Sequence, residues 1–274
     1  MGITDLDYAD DIAVLAECPV QLQTMLDRIM EFGARVGLAI NAAKTKVLVS
    51  GAAPPAILAN GAALEVVESF RYLGCLITGD GDCSPEIRSR IGRAWDAFEC
   101  LNKDVWRSRA MGLRVKLLVY DSVVRNVLLY GCETWPKKVA DFARLEAFQL
   151  RCYRRILGIN FRHRVSNAEV LQRVNRTDAP TIDAIIQQRR LRWFGHVLRM
   201  DPCRLPYRVL RFEVPGDWPG RAGRRATFVG TVEKDLLPMR DIYRAMWYND
   251  WWKLWEDISR DRTQYKMIIG NILR

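Results

Sequence analysis

Short apolar runs separated by turn residues fill roughly the first eighty positions of the chain. Leu6 and Tyr8 precede two adjacent aspartates, and the apolar run from Ile12 to Leu15 follows them. Because Asp tolerates turn geometry well, this pattern predicts two short strands joined by a tight hairpin turn that holds both aspartates. Asn60 and Gly61 stand between two further apolar runs and predict a second hairpin.

Between these hairpins the sequence predicts a helix and two more strands. Apolar side chains after Pro19 recur every three or four residues, so a helix there has one apolar face. The members of that face are Leu22, Met25, Leu26, Ile29 and Phe32. Gly37 suits the end of this helix, and the apolar stretches from Leu38 to Ile40 and from Val47 to Val49 predict short strands.

From Ser84 onward the spacing of apolar residues is helical, and Ser84 suits the N-cap of the first helix. The predicted fold class is therefore α+β. Short antiparallel strands and a helix occupy residues 1–80, a helical region follows over 84–160, and a basic helical region covers 161–274. Near 213–225 a run of Gly, Pro and Arg without periodicity predicts a flexible linker.

Composition narrows the class of protein. Hydrophobic residues make up 49% of the 274 residues, so the chain can fold around a core. No apolar run reaches the length of a transmembrane helix, so no membrane partner is expected. The formal net charge of +10 predicts a polyanionic partner or an anionic surface. Seven scattered cysteines without a disulfide framework indicate an intracellular location, in the nucleus or the cytoplasm.

The adjacent carboxylates of Asp10 and Asp11 are the leading candidates for chemistry. In one turn they repel each other, and a divalent cation would offset that repulsion. Mg²⁺ suits the position because it binds one or two protein carboxylates together with substrate phosphates. The alternative is a solvated turn that holds no ion.

Three stretches resemble motifs of reverse transcriptases, and they follow one another in the order of that family. Leu6 to Leu15 resembles the Tyr-x-Asp-Asp motif, in the form found in non-LTR, LINE-like retrotransposons. Gly37 to Thr45 is similar to the next motif, and Phe70 to Thr78 looks like the primer-grip hairpin. The resemblance continues through Tyr130 to Trp135 and Arg189 to Met200, so it covers nearly the whole chain. It implies a partial palm followed by a mainly α-helical thumb and C-terminal region.

The resemblance implies a role for each motif. Asp10 and Asp11 would hold Mg²⁺ or Mn²⁺, and Lys44 would lie near the leaving pyrophosphate. The primer-grip-like residues would hold a primer strand, and they are Phe70, Tyr72, Leu73 and Gly74. Without the resemblance, Lys44 is a surface lysine in a loop, and the hairpin is an amphipathic element packed on a core.

The resemblance also exposes a gap in the metal site. In this family an essential aspartate lies on a strand upstream of Tyr8, together with the fingers. Asp5 and Asp7 do not replace it, because they share one short strand. The metal cage is therefore expected to be incomplete. The chain is expected to be a C-terminal fragment of an RNA-directed DNA polymerase that is inactive alone and could be complemented by an upstream reverse-transcriptase fragment.

Arginines between residues 187 and 225 are the candidates for contact with RNA or DNA, since Arg binds phosphate bidentately. They are Arg189, Arg192 and Arg199 in a predicted helix and Arg221, Arg224 and Arg225 in the predicted linker. Trp193 could stack on a base, but apolar periodicity alone favours core packing for Trp193 and Phe194. A stripe of Trp247, Trp251 and Trp255 is expected to pack rather than bind nucleic acid.

Three functions are consistent with the sequence. The first is a portion of a reverse transcriptase that does not polymerise by itself. The second is a non-catalytic nucleic-acid-binding protein derived from a retroelement. The third is a translated relic without a function.

Overall fold

The computed structural model describes residues 4–51, 56–174, 180–212, 227–244, 247 and 250–272. The chain divides into two compact units, Met1–Glu86 and Ile87–Arg274. The described strands all lie in the first unit, and the second is helical. The predicted α+β class is therefore confirmed.

The described part of the first unit contains four two-stranded ladders. Three are antiparallel hairpins: β1 (Asp5–Tyr8) with β2 (Asp11–Val14), β4 (Leu58–Ala59) with β5 (Ala62–Ala63), and β7 (Ser69–Tyr72) with β8 (Cys75–Thr78). The fourth joins β3 (Lys46–Leu48) and β6 (Glu65–Val67) in parallel. Two-stranded ladders are marginal alone, so packing against a helix has to support them.

Left-handed backbone at the turns explains two of the hairpins. Asn60 and Gly61 have φ of 51° and 78°, and Leu73 and Gly74 have φ of 46° and 82°. Positive φ at both central residues gives the backbone twist that suits a two-residue hairpin. The hairpin predicted at Asn60 and Gly61 is confirmed.

Helix α1 (Pro19–Arg35) supplies the packing in the first unit. Its Gln23 side chain clamps strand β4, because Nε2 donates to the Leu58 carbonyl and Oε1 accepts from the Leu58 N–H, both at 2.8 Å. Beneath this clamp lies a small apolar core of Leu26, Val47, Ile57, Ala59 and Leu64.

The strand predicted over Leu38 to Ile40 is wrong. The Leu38 N–H donates to the Gly33 carbonyl at 2.8 Å, and Gly37 has φ of 76°. These two features complete the end of α1, as the predicted stop at Gly37 requires. The backbone of Leu38 is therefore used for capping, and β3 pairs with β6 instead.

The described helices of the remaining chain follow in order, and the first of them begins in the first unit and ends in the second. They are α2 (Ser84–Cys100), α3 (Leu113–Val119), α4 (Arg125–Leu128), α5 (Val139–Ile156), α6 (Asn167–Arg173), α7 (Ile182–Leu198), α8 (Leu205–Leu210), α9 (Phe228–Leu236), α10 (Trp251–Arg260) and α11 (Arg262–Ile272). A π-helical turn, Tyr120–Val124, joins α3 to α4.

Helix α7 lies at the centre of the C-terminal core, where Leu191 and Phe194 are fully buried. The tryptophan stripe packs against it: the ring centroids of Trp247 and Trp255 are 6.0 Å apart, and those of Phe194 and Trp251 are 5.7 Å apart. The prediction that this stripe packs is confirmed.

Replacing Gly195 with alanine is expected to lower the free energy of unfolding by about 1–3 kcal/mol. An added Cβ would lie 2.3 Å from Cε1 of Tyr265. That ring cannot move aside easily, because its hydroxyl donates to the Leu191 carbonyl at 2.6 Å in a buried position. Urea denaturation followed by tryptophan fluorescence measures the change.

Gly92 in α2 is a matched control, since nothing lies within 4 Å of a Cβ added there. Gly92→Ala is expected to raise stability by up to about 1 kcal/mol through helix propensity alone. If Gly92→Ala and Gly195→Ala were equally stable, the Tyr265 ring would not limit the size of the side chain at position 195.

Candidate active site and nucleic-acid surface

Asp10 lies at the tip of the first hairpin. Tyr8 pairs with Asp11, so Ala9 and Asp10 form the two-residue turn, and Ala9 has φ of 54°. Asp11 is the first residue of β2, instead of part of the turn as predicted, because Tyr8 closes the ladder opposite it. Both carboxylates are exposed to solvent and accessible to a ligand.

The primer-grip-like hairpin lies against this first hairpin. The Tyr72 hydroxyl donates to the Leu6 carbonyl of β1 at 3.1 Å, which joins β7 to the strand preceding the aspartates. Phe70 and Leu73 are exposed, while Gly74 supplies the left-handed turn residue and its carbonyl faces Arg71. Tyr72 thus joins the two hairpins, and the side chains of Phe70 and Leu73 are accessible to solvent.

Lys44 lies in a turn before β3. Its N–H donates to the backbone carbonyl of Asn41 at 3.1 Å, and its side chain is exposed. Within the described residues, no hydrogen bond or ion pair joins Lys44 to Asp10 or Asp11. The role near pyrophosphate therefore stays a prediction.

The donor set of the hairpin fits a divalent ion only in part. Asp10 and Asp11 offer hard carboxylate oxygens, which suit one Mg²⁺ completed by water and phosphate. In the part of the chain that the structure describes, no group of three or more His, Cys, Asp or Glu side chains is placed to hold a metal. Two-metal phosphoryl transfer uses a larger set of ligands than these two carboxylates.

Arg189 and Arg192 lie in α7, and Arg199 is its C-cap residue. Arg189 donates to the Leu129 carbonyl at 2.9 Å and to Asn126 Oδ1 at 3.2 Å. Arg199 donates to the Ser259 carbonyl at 3.0 Å. These two side chains join elements of the fold, whereas Arg192 is exposed.

Trp193 is also exposed on α7, at 38%, while Phe194 is fully buried. Core packing, expected for both, is confirmed for Phe194 and wrong for Trp193, because neighbouring residues of a helix point about 100° apart. The Trp193 ring contacts His196, with centroids 5.5 Å apart. Arg221, Arg224 and Arg225, with the predicted linker, lie outside the described residues.

The first unit thus carries an exposed hairpin with two adjacent carboxylates. Residues 2–77 match the family model for reverse transcriptase, the RNA-dependent DNA polymerase. An uncharacterized transposon-derived protein of Caenorhabditis elegans is 30% identical over 277 residues, which cover 98% of this chain and 95% of that protein. No solved structure matches the chain.

This chain therefore belongs to the reverse transcriptase family, as a retroelement-derived protein. Reverse transcriptases act on nucleic acid and generally use divalent metal ions. Among the helices in the described ranges, none is both long and apolar enough to cross a membrane.

Proposed function

We propose that this chain is a nucleic-acid-binding member of the non-LTR branch of the reverse transcriptase family, and that it does not polymerise DNA by itself. The observation that carries the proposal is the exposed hairpin of Asp10 and Asp11, which offers two carboxylates and, among the described residues, no third. The motif order from this hairpin to the hairpin at Phe70 supports the assignment to the branch.

The acidic hairpin would hold one Mg²⁺ or Mn²⁺, with Asp10 as the main ligand and Asp11 as its auxiliary. A bound divalent ion supplies charge neutralisation for phosphates at such a site. Lys44, as an exposed and mobile cation, suits a position near a leaving phosphate. A complementing reverse-transcriptase segment that brings a further palm carboxylate is the partner that this site requires.

The primer-grip-like hairpin would contact a primer strand through Phe70 and Leu73. The hydrogen bond from Tyr72 to the Leu6 carbonyl supports this role, because it fixes the hairpin beside the strand that carries the acidic turn. An intracellular location, in the nucleus or the cytoplasm, is part of the same proposal.

The second candidate function is that of a non-catalytic nucleic-acid-binding protein derived from a retroelement, which needs no complementing segment. The exposed cationic and aromatic side chains of α7 favour it. Arg192 and Trp193 are accessible to solvent, and the net charge is +10. These features suit contact with phosphates and bases, and neither depends on a metal centre.

Binding of RNA or DNA is expected to depend on salt and to weaken when Arg221, Arg224 and Arg225 are replaced together by alanine. Each phosphate contact removed should lower the slope of log affinity against log salt by about 0.7 to 0.9, because fewer counterions are released. Fluorescence anisotropy of a labelled single strand, measured at several salt concentrations, gives both the affinity and the slope.

A triple replacement elsewhere removes the same charge and serves as the control. Arg35, Arg173 and Arg260 are exposed helical arginines that already pair with nearby carboxylates. Their replacement by alanine should change binding less than the linker replacement does. If replacing Arg221, Arg224 and Arg225 left the affinity and the slope unchanged, these three linker arginines would be excluded as a binding element.

A further inference from the structure

A groove in the second unit lies between α2 and the segment from the π-helical turn to Tyr130. It is open to solvent and has a volume of about 530 Å³, and its walls include Arg90 and Arg93 from α2 and Val123, Asn126 and Tyr130 from the other side. None of the described residues that line it is acidic. An anionic ligand would therefore meet no like charge in the groove itself.

The charge of Arg90 is held at the base of this groove. Arg90 is 5% exposed, and its guanidinium carbon lies 4.5 Å from the ring centroid of Tyr130. That distance is a cation–π contact, which orients the ring and keeps a positive charge in a partly dry environment. The Tyr130 side chain is 50% exposed, so its ring still reaches solvent.

The π-helical turn Tyr120–Val124 places two residues of the wall, Ser122 and Val123. Such turns are rare within helices and occur frequently at functional sites, because the extra residue displaces side chains from their helical positions. The turn is an observation independent of the charge in the groove.

Helix α7 continues the same surface. Arg189 Nη2 donates to Asn126 Oδ1 in the groove wall at 3.2 Å, and one helical turn further, about 6 Å along the axis, lies Trp193. Arg192 and His196 are exposed beside that ring. The groove and this face of α7 thus form one surface, which carries arginines and two accessible aromatic rings.

We infer that this surface binds a single strand of nucleic acid, with one base on Tyr130, another on Trp193, and phosphates beside Arg93 and Arg192. A flat aromatic ring can stack only on a base whose face is accessible, and the bases of a duplex are already stacked on each other. The inference rests on the proposed nucleic-acid binding and adds the strandedness of the ligand and the residues that recognise it.

Replacement of the rings separates stacking from charge. Tyr130→Leu and Trp193→Leu are each expected to weaken binding of a labelled oligo(U) about 5- to 150-fold, the range that stacking of one base covers. Tyr130→Phe and Trp193→Phe keep an aromatic face and should bind nearly as the parent does. The salt slope should not change in any of the four variants, because no charge is removed.

Phe32→Leu is the matched control, since Phe32 is also exposed and also has an arginine over its ring, with Arg35 Cζ at 4.8 Å from the centroid. It should leave binding unchanged. A labelled hairpin duplex of the same length should bind equally to the parent and to all five variants.

The inference would be overturned if both leucine variants bound the single strand as tightly as the parent does. It would also be overturned if they lost affinity for the duplex to the same extent as for the single strand. Urea denaturation of each variant shows whether it is folded, and Trp193→Leu tests the inference independently of the packing of Tyr130 on Arg90. Failure of the parent chain to bind either probe would instead refute the proposed nucleic-acid binding itself.

Discussion

Replacing Asp235 with alanine is expected to lower the free energy of unfolding by about 3–5 kcal/mol, the cost of leaving a buried charge without its partner. Asp235 Oδ2 lies 2.5 Å from Arg190 Nη1, and the two side chains are 7% and 1% exposed. Arg190 Nη2 also donates to the Trp135 carbonyl at 3.0 Å. The pair therefore joins α7, α9 and the segment before α5.

The amide variant Asp235→Asn is expected to lose less stability than Asp235→Ala. Burial raises the pKa of Asp235, although the charge of Arg190 acts in the opposite direction, so a neutral side chain is tolerated there. A carboxyl group with a raised folded-state pKa contributes its stability fully below its unfolded pKa, and the contribution is lost as the pH rises through the folded value. Asparagine does not titrate, so the stability that Asp235→Asn loses relative to the parent should be largest at acid pH and should shrink toward neutral pH.

Two further variants test whether the unpaired charge of Arg190 causes the loss of stability in Asp235→Ala. The double variant Arg190→Met, Asp235→Leu leaves no unpaired charge, so it should be more stable than Asp235→Ala. Asp257→Ala removes the exposed partner of Arg260 and should cost at most about 1 kcal/mol. Urea denaturation followed by tryptophan fluorescence compares them, and equal losses for Asp235→Ala and Asp257→Ala would contradict the role of the buried pair.

Features fixed by neighbouring residues could be predicted from the sequence. Asn60 and Gly61 adopt the left-handed turn that these residue types favour. Ser166 likewise caps α6 by accepting from the Glu169 N–H at 3.2 Å, an interaction that serine favours at this position. In both cases the interaction spans at most three residues, so a local pattern contains all of its parts.

Features fixed by distant residues could not be predicted in this way. Arg190 and Asp235 are 45 residues apart, and Arg189 reaches a carbonyl 60 residues away at Leu129. A sequence pattern identifies long cationic side chains, but it does not show which of them turn back onto the fold. Arg190 is thus buried, while Arg192, two positions later, is exposed.

The candidate site shows the same division. The hairpin that carries Asp10 follows from local turn chemistry, and the contact from Tyr72 to the Leu6 carbonyl spans 66 residues. Tyr130 and Arg90 form their cation–π contact across 40 positions, from elements that share no motif. The groove therefore has no signature in the sequence beyond the abundance of arginine in α2.

The 274-residue chain is expected not to extend a primer on an RNA template with Mg²⁺ and deoxynucleotides. Asp10 and Asp11 can hold one ion, whereas phosphoryl transfer by polymerases needs two ions held by more carboxylates than the described residues bring together. Gel analysis of a labelled primer measures extension directly. Robust extension by the chain alone would show that its catalytic centre is complete.

Adding a second polypeptide that carries the upstream palm of a related reverse transcriptase is expected to restore extension, and Asp10→Ala is then expected to abolish it. Asp10 sits at the exposed tip of the hairpin, where its loss leaves a single carboxylate and no main ligand. Asp7→Ala is the matched control, because it removes an exposed carboxylate of β1 and should leave extension intact. Equal extension by the Asp10→Ala and Asp7→Ala complexes would show that Asp10 does not bind the metal.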